Sequence, residues 1–315
     1  MTRTSERPDV DLAEVVPGID VYASPAVRLH PRPGQPEAWV SHIGGPLLWP
    51  AADPWPRCDA RFCWHYLSDG PAGTSSVQPS RVSGLSVDER TDRLRASCDV
   101  PLTPLVQLYR ADFPEIAFPA GSDVLQLLWR GGFWDRDCIR AYWRDSASVF
   151  AVQAAPPVDV QVAVRPCVLD PERIIDFPWF EELPGDVLRR INDALGESAA
   201  EEGRPAAPAL YHRLSAAPGF KVGGSLAWPA VEMPSVICPD CGASCTLLVQ
   251  LDTYEWLPSD PDSPWRPSAC GDVAEDTEEY ENACSPVGLV VGRATYGGVF
   301  ACSADSAHAV QFRCQ

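Results

Sequence analysis

The sequence predicts an α+β fold that is β-rich and consists of two pseudo-symmetric, duplicated halves with a few short helices. Three observations carry this expectation. The stretch "SHIGGPLLWPA" at 41–51 returns as "FKVGGSLAWPA" at 220–230. The Leu-Val-Gln-Leu of "PLTPLVQLYR" (101–110) returns in "SCTLLVQLDT" (244–253). Thirty-three prolines divide the chain of 315 residues into short segments, which suits strands and turns better than long helices.

Residues 1–24 read as an N-terminal extension, and 25–169 as the first half. In that half Gly44 and Gly45 permit positive φ, and Trp49 with the following proline completes a rigid aromatic-capped corner. Gly44 and Gly223 lie 179 residues apart, whereas Leu105 and Leu248 lie 143 apart, so the first copy holds 36 extra residues. The loop-like composition of "SDGPAGTSSVQPSRVSG" places them within about 52–100. Strands are expected at "DVLQLLW" (123–129), "CIRAYWR" (138–144) and "VDVQVAVRP" (158–166).

Residues 170–209 read as a helical bridge and linker. A short helix is expected after Asp170-Pro171-Glu172, and a longer one over 185–196. There Val187, Leu188, Ile191 and Leu195 share one face and Gly196 can end the helix. The small and charged stretch 197–209 reads as linker. The second half, 210–315, repeats the corner with Gly223, Gly224 and Trp228, and "GLVVGRATYGGVF" (288–300) reads as a further strand. Between them, 252–284 carries ten acids against one arginine and reads as a solvated, mobile excursion.

Only the second corner is followed at once by Cys238-Pro239-Asp240-Cys241. Two thiolates presented from one tight turn suit a zinc knuckle. "FACSADSAHAV" supplies Cys302 and His308, so the candidate is a structural Zn2+ on Cys238, Cys241, Cys302 and His308, with Cys314 as an alternative fourth ligand. A C-x-x-C also fits a redox pair or buried reduced thiols. The first copy has Cys58 and Cys63 but no C-x-x-C, and Leu127 or Leu128 is expected where the second has Cys302. No metal is expected there.

Taken together, Lys221-Val-Gly-Gly-x-x-x-Trp-Pro, Cys238-x-x-Cys241-Gly, Leu-Leu-Val-Gln-Leu (247–251) and Val-Phe-Ala-Cys302 with a trailing His308 resemble the YwqG-like bacterial family, a domain of unknown function. The set is distantly similar to the programmed cell death protein 2 family, whose members chaperone a ribosomal protein. The resemblance implies pseudo-twofold β-rich halves and no established enzymatic activity. The chain departs from the family pattern at Cys302-Ser303, where Cys-Pro is expected.

The formal net charge is −18, and Lys221 is the only lysine. Nucleic acid, which needs a basic footprint, is excluded as a direct partner, and an anionic membrane surface is disfavoured. The natural electrostatic complement is a basic protein, with Glu278, Glu279 and Glu281 as candidate contacts. The N-terminus lacks an apolar signal region and no run approaches about 18 apolar residues, so a cytoplasmic location is expected. No G-x-S-x-G, H-E-x-x-H or kinase motif is present. The expectation is a non-enzymatic protein-binding module, either chaperone-like or an immunity-type binder. The alternatives are a small-molecule sensor with a Trp-lined cleft between the halves, and an enzyme with an unrecognised site. Oligomeric state is not encoded in any motif.

Overall fold

The computed structural model describes residues 11–58, 100–130, 138–157, 163–199, 206–226, 235–270, 273–275 and 277–314. The chain is a β-rich α+β protein of two antiparallel six-stranded sheets and, among the described residues, four short helices. The strands are β1 (Ser24–Arg28), β2 (Arg32–Pro33), β3 (His42–Ile43), β4 (Thr103–Tyr109), β5 (Val124–Trp129), β6 (Ile139–Arg144), β7 (Cys167–Val168), β8 (Glu172–Asp176), β9 (Lys221–Gly223), β10 (Cys245–Asp252), β11 (Tyr296–Cys302) and β12 (Gln311–Cys314). The helices are α1 (Leu12–Val15), α2 (Gly185–Ala199), α3 (Ala207–Ser215) and α4 (Glu278–Cys284).

The sheets run β2-β7-β3-β4-β5-β6 and β8-β1-β9-β10-β11-β12. Adding six to each label turns one order into the other, provided that β1 and β7 change places. The sheets follow the segments 25–169 and 210–315 only in part: the first sheet lies wholly within 25–169, but the second takes β1 from the start of the chain and β8 from the 170–209 bridge. One continuous apolar core joins both sheets, with Val27, Leu105, Leu127, Val222, Val249 and Val299 among its buried members. A second core packs α1, α2 and α3 together through Leu12, Ile19, Val187, Ile191 and Tyr211.

The repeated Leu-Val-Gln-Leu has a structural reason. The Gln107 Nε2 donates to the carbonyls of Ala38 (2.7 Å) and Val40 (3.2 Å). The Gln250 Nε2 donates to those of Ala217 (3.2 Å) and Gly219 (2.9 Å), the same two positions at the 179-residue offset. The β4–β5 register shifts between Pro104 and Val106, and the β10–β11 register shifts between Leu247 and Val249, again at matching positions. Both glycine pairs take positive φ, at +63° and +71° for Gly44 and Gly45 and at +67° and +72° for Gly223 and Gly224. A Cβ on Gly224 would strike the Asp176 carboxylate and the Ala26 Cβ, so the site excludes larger residues sterically as well. The Trp49 ring lies against Trp55, Tyr142 and the Arg144 guanidinium, which is 4.0 Å from its centroid. Trp228 lies outside the described residues.

Other expectations need revision. The segment after Asp170-Pro171 is strand β8, not helix: its Ile174-Ile175 pair sits on the open flank of β1 and completes that sheet. The helix expected over 185–196 is α2, but it runs through Gly196 to Ala199, since one interior glycine costs only about 1 kcal/mol. Part of the expected linker is α3, whose Leu210, Tyr211 and Leu214 are buried against α2. Of the strand expected over 158–166, residues 158–162 lie outside the described residues and the pairing begins only at Cys167.

The acidic stretch 252–284 is no free excursion. Trp256, Cys270, Tyr280 and Cys284 form a buried cluster, and Trp265 Nε1 donates to the Arg213 carbonyl at 2.9 Å. Buried aromatics anchor the segment, while its acids split between surface and interior. Glu255 is interior: its Oε2 lies 3.3 Å from the Arg28 Nη2 and 3.3 Å from the His30 Nδ1. The His30 Nε2 is 3.0 Å from the Glu172 Oε2. Alongside, the fully buried Lys221 pairs with the fully buried Asp176. Burial lowers the Lys221 ammonium and raises the Asp252 carboxyl to about 7. For His30 burial would also disfavour the cation, but the hydrogen bonds to Glu172 and Glu255 outweigh it and the imidazole is raised.

Gly224→Ala will destabilise the fold by several kcal/mol in chemical denaturation, because side-chain collision adds to left-handed strain. Gly121→Ala, at φ +77° with open space around it, will lose only about 1–2 kcal/mol. The raised His30 means that its ion pairs stabilise the fold fully below the unfolded-state imidazole value, about 6.5, and fade as pH rises through the folded value. The stability difference between the native chain and His30→Asn will therefore shrink from pH 6 to pH 8.5. Asparagine tolerates the φ of +42° at this position.

Candidate metal centre

The C-x-x-C lies on the turn of a short hairpin. The Cys238 N–H donates to the Ala243 carbonyl at 2.8 Å, the Gly242 N–H returns to the Cys238 carbonyl at 2.9 Å, and Ile237 bridges Ser244. Gly242 has φ +75°, the left-handed conformation that closes so tight a turn. The hairpin runs into β10, and β10 pairs with β11 so that Cys245 stands directly opposite Cys302. That register delivers the end of β11 to the mouth of the turn. The chain then turns through Ser303–Ala307, and Asp240 Oδ2 accepts from the Ala309 N–H at 3.1 Å, drawing the His308 segment back over the hairpin.

The outcome is a cluster of four. The ligand atoms of Cys238, Cys241, Cys302 and His308 all lie within 4.8 Å of one another. The Cys238 Sγ is 3.6 Å from the His308 Nδ1, and the Cys241 Sγ is 3.5 Å from the Cys302 Sγ. Cys238 and Cys302 are buried, His308 is half-buried and Cys241 is exposed. The other ring nitrogen, Nε2, faces the Asp305 carboxylate at 3.8 Å, an arrangement that orients a metal-ligating imidazole. All three cysteines are free thiols. These residues could hold a metal ion.

The electrostatics of the group point the same way. The Cys302 thiol is pulled down to about 6, first by its hydrogen bond with His308, and the imidazole is raised by the same bond. The Cys241 thiol is pushed up to about 11: the Ala243 backbone holds it down, but its contacts with Cys302 and Cys238, together with burial, prevail. Three sulfurs this close cannot all ionise unaided, and a divalent cation removes that conflict.

All four ligands expected from spacing are brought together, although they come from two segments about sixty residues apart in sequence. Cys314 is at the far end of β12, opposite Gly297, and is not part of the cluster. Cys245, set aside for its closeness to Cys241 in sequence, is a neighbour of the site through its cross-strand position opposite Cys302. Glu278, Glu279 and Glu281 are exposed on α4, whose N-terminus Thr277 caps by accepting from the Tyr280 N–H at 3.1 Å.

The first half has the same hairpin opening without the same contents. The Cys58 N–H donates to the Val100 carbonyl at 2.9 Å and Leu102 N–H to the Pro56 carbonyl at 2.9 Å. These bonds match Cys238 to Ala243 and Cys245 to Val236, so Cys58 stands where Cys238 stands, and the 59–99 segment enters where the knuckle turns. In the β4–β5 register the counterpart of Cys302 is the buried Arg130, not Leu127 or Leu128: the bulge and strand pairing move the match by two to three residues. Elsewhere, a crevice too narrow to hold a water molecule is lined by Pro31, Phe220, Asp252, Glu255, Pro286 and their neighbours, with no tryptophan among them.

The purified protein is expected to hold one metal ion per chain by plasma mass spectrometry. Cys238→Ser, which removes a buried ligand, will lower occupancy at least tenfold, and His308→Ala will weaken retention against a chelator. Unchanged occupancy in both variants would rule the cluster out as the metal site. No protein-family model matches the chain, and no curated protein matches it.

Proposed function

We propose that the chain is a non-enzymatic, cytoplasmic protein-binding module in which Cys238, Cys241, Cys302 and His308 hold a structural zinc ion. The observation that carries this reading is the closed set of four soft donors. Three thiolates and an imidazole favour zinc over magnesium or calcium, which take oxygen ligands. A tetrahedral ion with Zn–S bonds of about 2.3 Å sets its sulfurs about 3.8 Å apart, close to the 3.5 Å between Cys241 and Cys302. Four protein ligands leave no open position for a reacting water, which supports a structural rather than a catalytic ion.

A charge of −18 supports a basic protein as the partner. Glu278, Glu279 and Glu281 are exposed on a helix that Tyr280 and Cys284 fix to the body, so the acids form a preorganised edge. Common ancestry of the two halves by duplication is part of the proposal; matched glutamine contacts, matched bulges and interconvertible strand orders support it. Membership of the YwqG-like family, with its distant similarity to a chaperone of a ribosomal protein, is likewise proposed from the motif set.

The test is affinity purification from host lysate at low and high salt. A stoichiometric basic protein is expected at low salt, and the Glu278→Gln/Glu279→Gln/Glu281→Gln variant will bind it several-fold more weakly. Recovery of no basic partner at low salt would overturn the partner assignment, and a metal-free, stably folded native protein would overturn the zinc assignment.

A further inference from the structure

We infer that Cys241 and Cys302 form an oxidisable pair, so that peroxide converts the metal-stapled hairpin into a disulfide-stapled one and expels the ion. This rests on the reading of the cluster as a zinc site. The two sulfurs are 3.5 Å apart and come from different segments, the knuckle turn and the end of β11. Closing them to about 2.05 Å asks only a small movement of the turn. Access is asymmetric: Cys241 is exposed, whereas Cys238 and Cys302 are buried. The oxidant therefore meets Cys241 first, and Cys302 is the thiolate placed behind it.

The chemistry balances with hydrogen peroxide as the oxidant. Cys241, which is a thiolate when it ligates the ion, attacks one peroxide oxygen, the O–O bond breaks, hydroxide leaves and a sulfenic acid forms. The Cys302 thiolate then attacks the Cys241 sulfur, the S–O bond breaks, a second hydroxide leaves and the S–S bond forms. Two thiolates have lost two electrons to one peroxide. The ion is left with Cys238 and His308 as its ligands from this set and dissociates.

The structural consequence is specific. A 241–302 disulfide ties the hairpin to β11 across 61 residues of sequence, the same connection that the metal makes. What the disulfide cannot replace is the hold on His308. The Ser303–Ala309 turn then keeps the Ser303 bonds to the Ser244 carbonyl at its start, the Asp240–Ala309 bond at its end and its own local bonds. Oxidation would loosen the His308 side of that turn while leaving the two sheets intact.

The experiment starts from protein whose zinc content has been measured. Peroxide is titrated against it, zinc release is followed with a chromogenic chelator, and linked peptides are identified by tandem mass spectrometry without reduction. One zinc released per 241–302 disulfide, reversed by dithiothreitol with added zinc, is the expected result. The oxidised protein will melt higher than the reduced metal-free protein. Cys245→Ser, which removes the thiol opposite Cys302, will leave release and linkage unchanged. Zinc release with the disulfide at Cys245 or Cys238, with sulfinic acid alone, or lost in Cys245→Ser, would overturn this inference and leave the zinc reading standing. A chain that neither carries nor takes up zinc would overturn both.

Discussion

The antiparallel register of β10 against β11 is the constraint on which the candidate site depends. Cys245 faces Cys302 because Leu251 faces Gly297 at the other end of the ladder, and a one-residue slip would turn every side chain to the opposite face. Such a slip is prevented by the core. Val249, Leu251 and Val299 are buried, and a Cβ on Gly297 would run into Phe312 of the neighbouring strand. Metal-ligand geometry at the sheet margin is thus set by apolar packing at its centre, and the hairpin at 238–242 only has to close tightly.

The two ends of the molecule satisfy the same backbone frame by different chemistry. In the second sheet a knuckle of five residues leads straight into β10, and sulfur and imidazole fill its mouth. In the first, the corresponding opening between Cys58 and Val100 admits a long segment, and stability at that end comes from Leu47, Trp49, Trp55, Leu102 and Leu128 packed together. The Arg144 guanidinium covers the Trp49 ring and holds Asp53 at 2.8 Å, an arrangement in which cation–π and charged hydrogen bonds reinforce each other. A short turn with two thiolates favours a metal; in the first half, Trp49 and Trp55, ahead of the long segment, form an aromatic cluster instead.

A similar divergence appears beneath the glycine corners. His42 and Lys221 occupy matching places next to β7 and β1, but His42 faces Val168 whereas Lys221 faces Arg28. Two cations side by side in an apolar interior require acids, and Asp176 from β8 and Asp252 and Glu255 from the 252–284 segment supply them. Such a group is expensive to desolvate, and removal of one member typically destabilises by about 3–5 kcal/mol. Its effect is to make the second sheet intolerant of mispairing: β1, β8, β9 and the 252–284 segment must all be in place before the charges are matched. The second sheet adds to this cooperativity, because it is complete only with β1 from the start of the chain and β8 from the 170–209 bridge.

Much of this was legible from residue order alone. Local patterns identify strands from alternation and β-branching, the helix at 185–199 from its apolar face, and the glycine corners from a repeated motif, because those features depend on near neighbours. The four ligands were also legible, since a knuckle must be closed by donors that follow a strand reaching the same edge. What required the tertiary structure was every feature set by distant partners. These include the exchange of β1 and β7, the strand character of Glu172–Asp176, the alignment of Cys302 with Arg130, and the anchoring of the acidic 252–284 segment. Composition marks that segment as solvated, yet Trp256 and Glu255 are drawn inside by Tyr280 and Arg28. Hydrophobic burial and buried charge pairing act between residues hundreds of positions apart, and no local window of sequence records them.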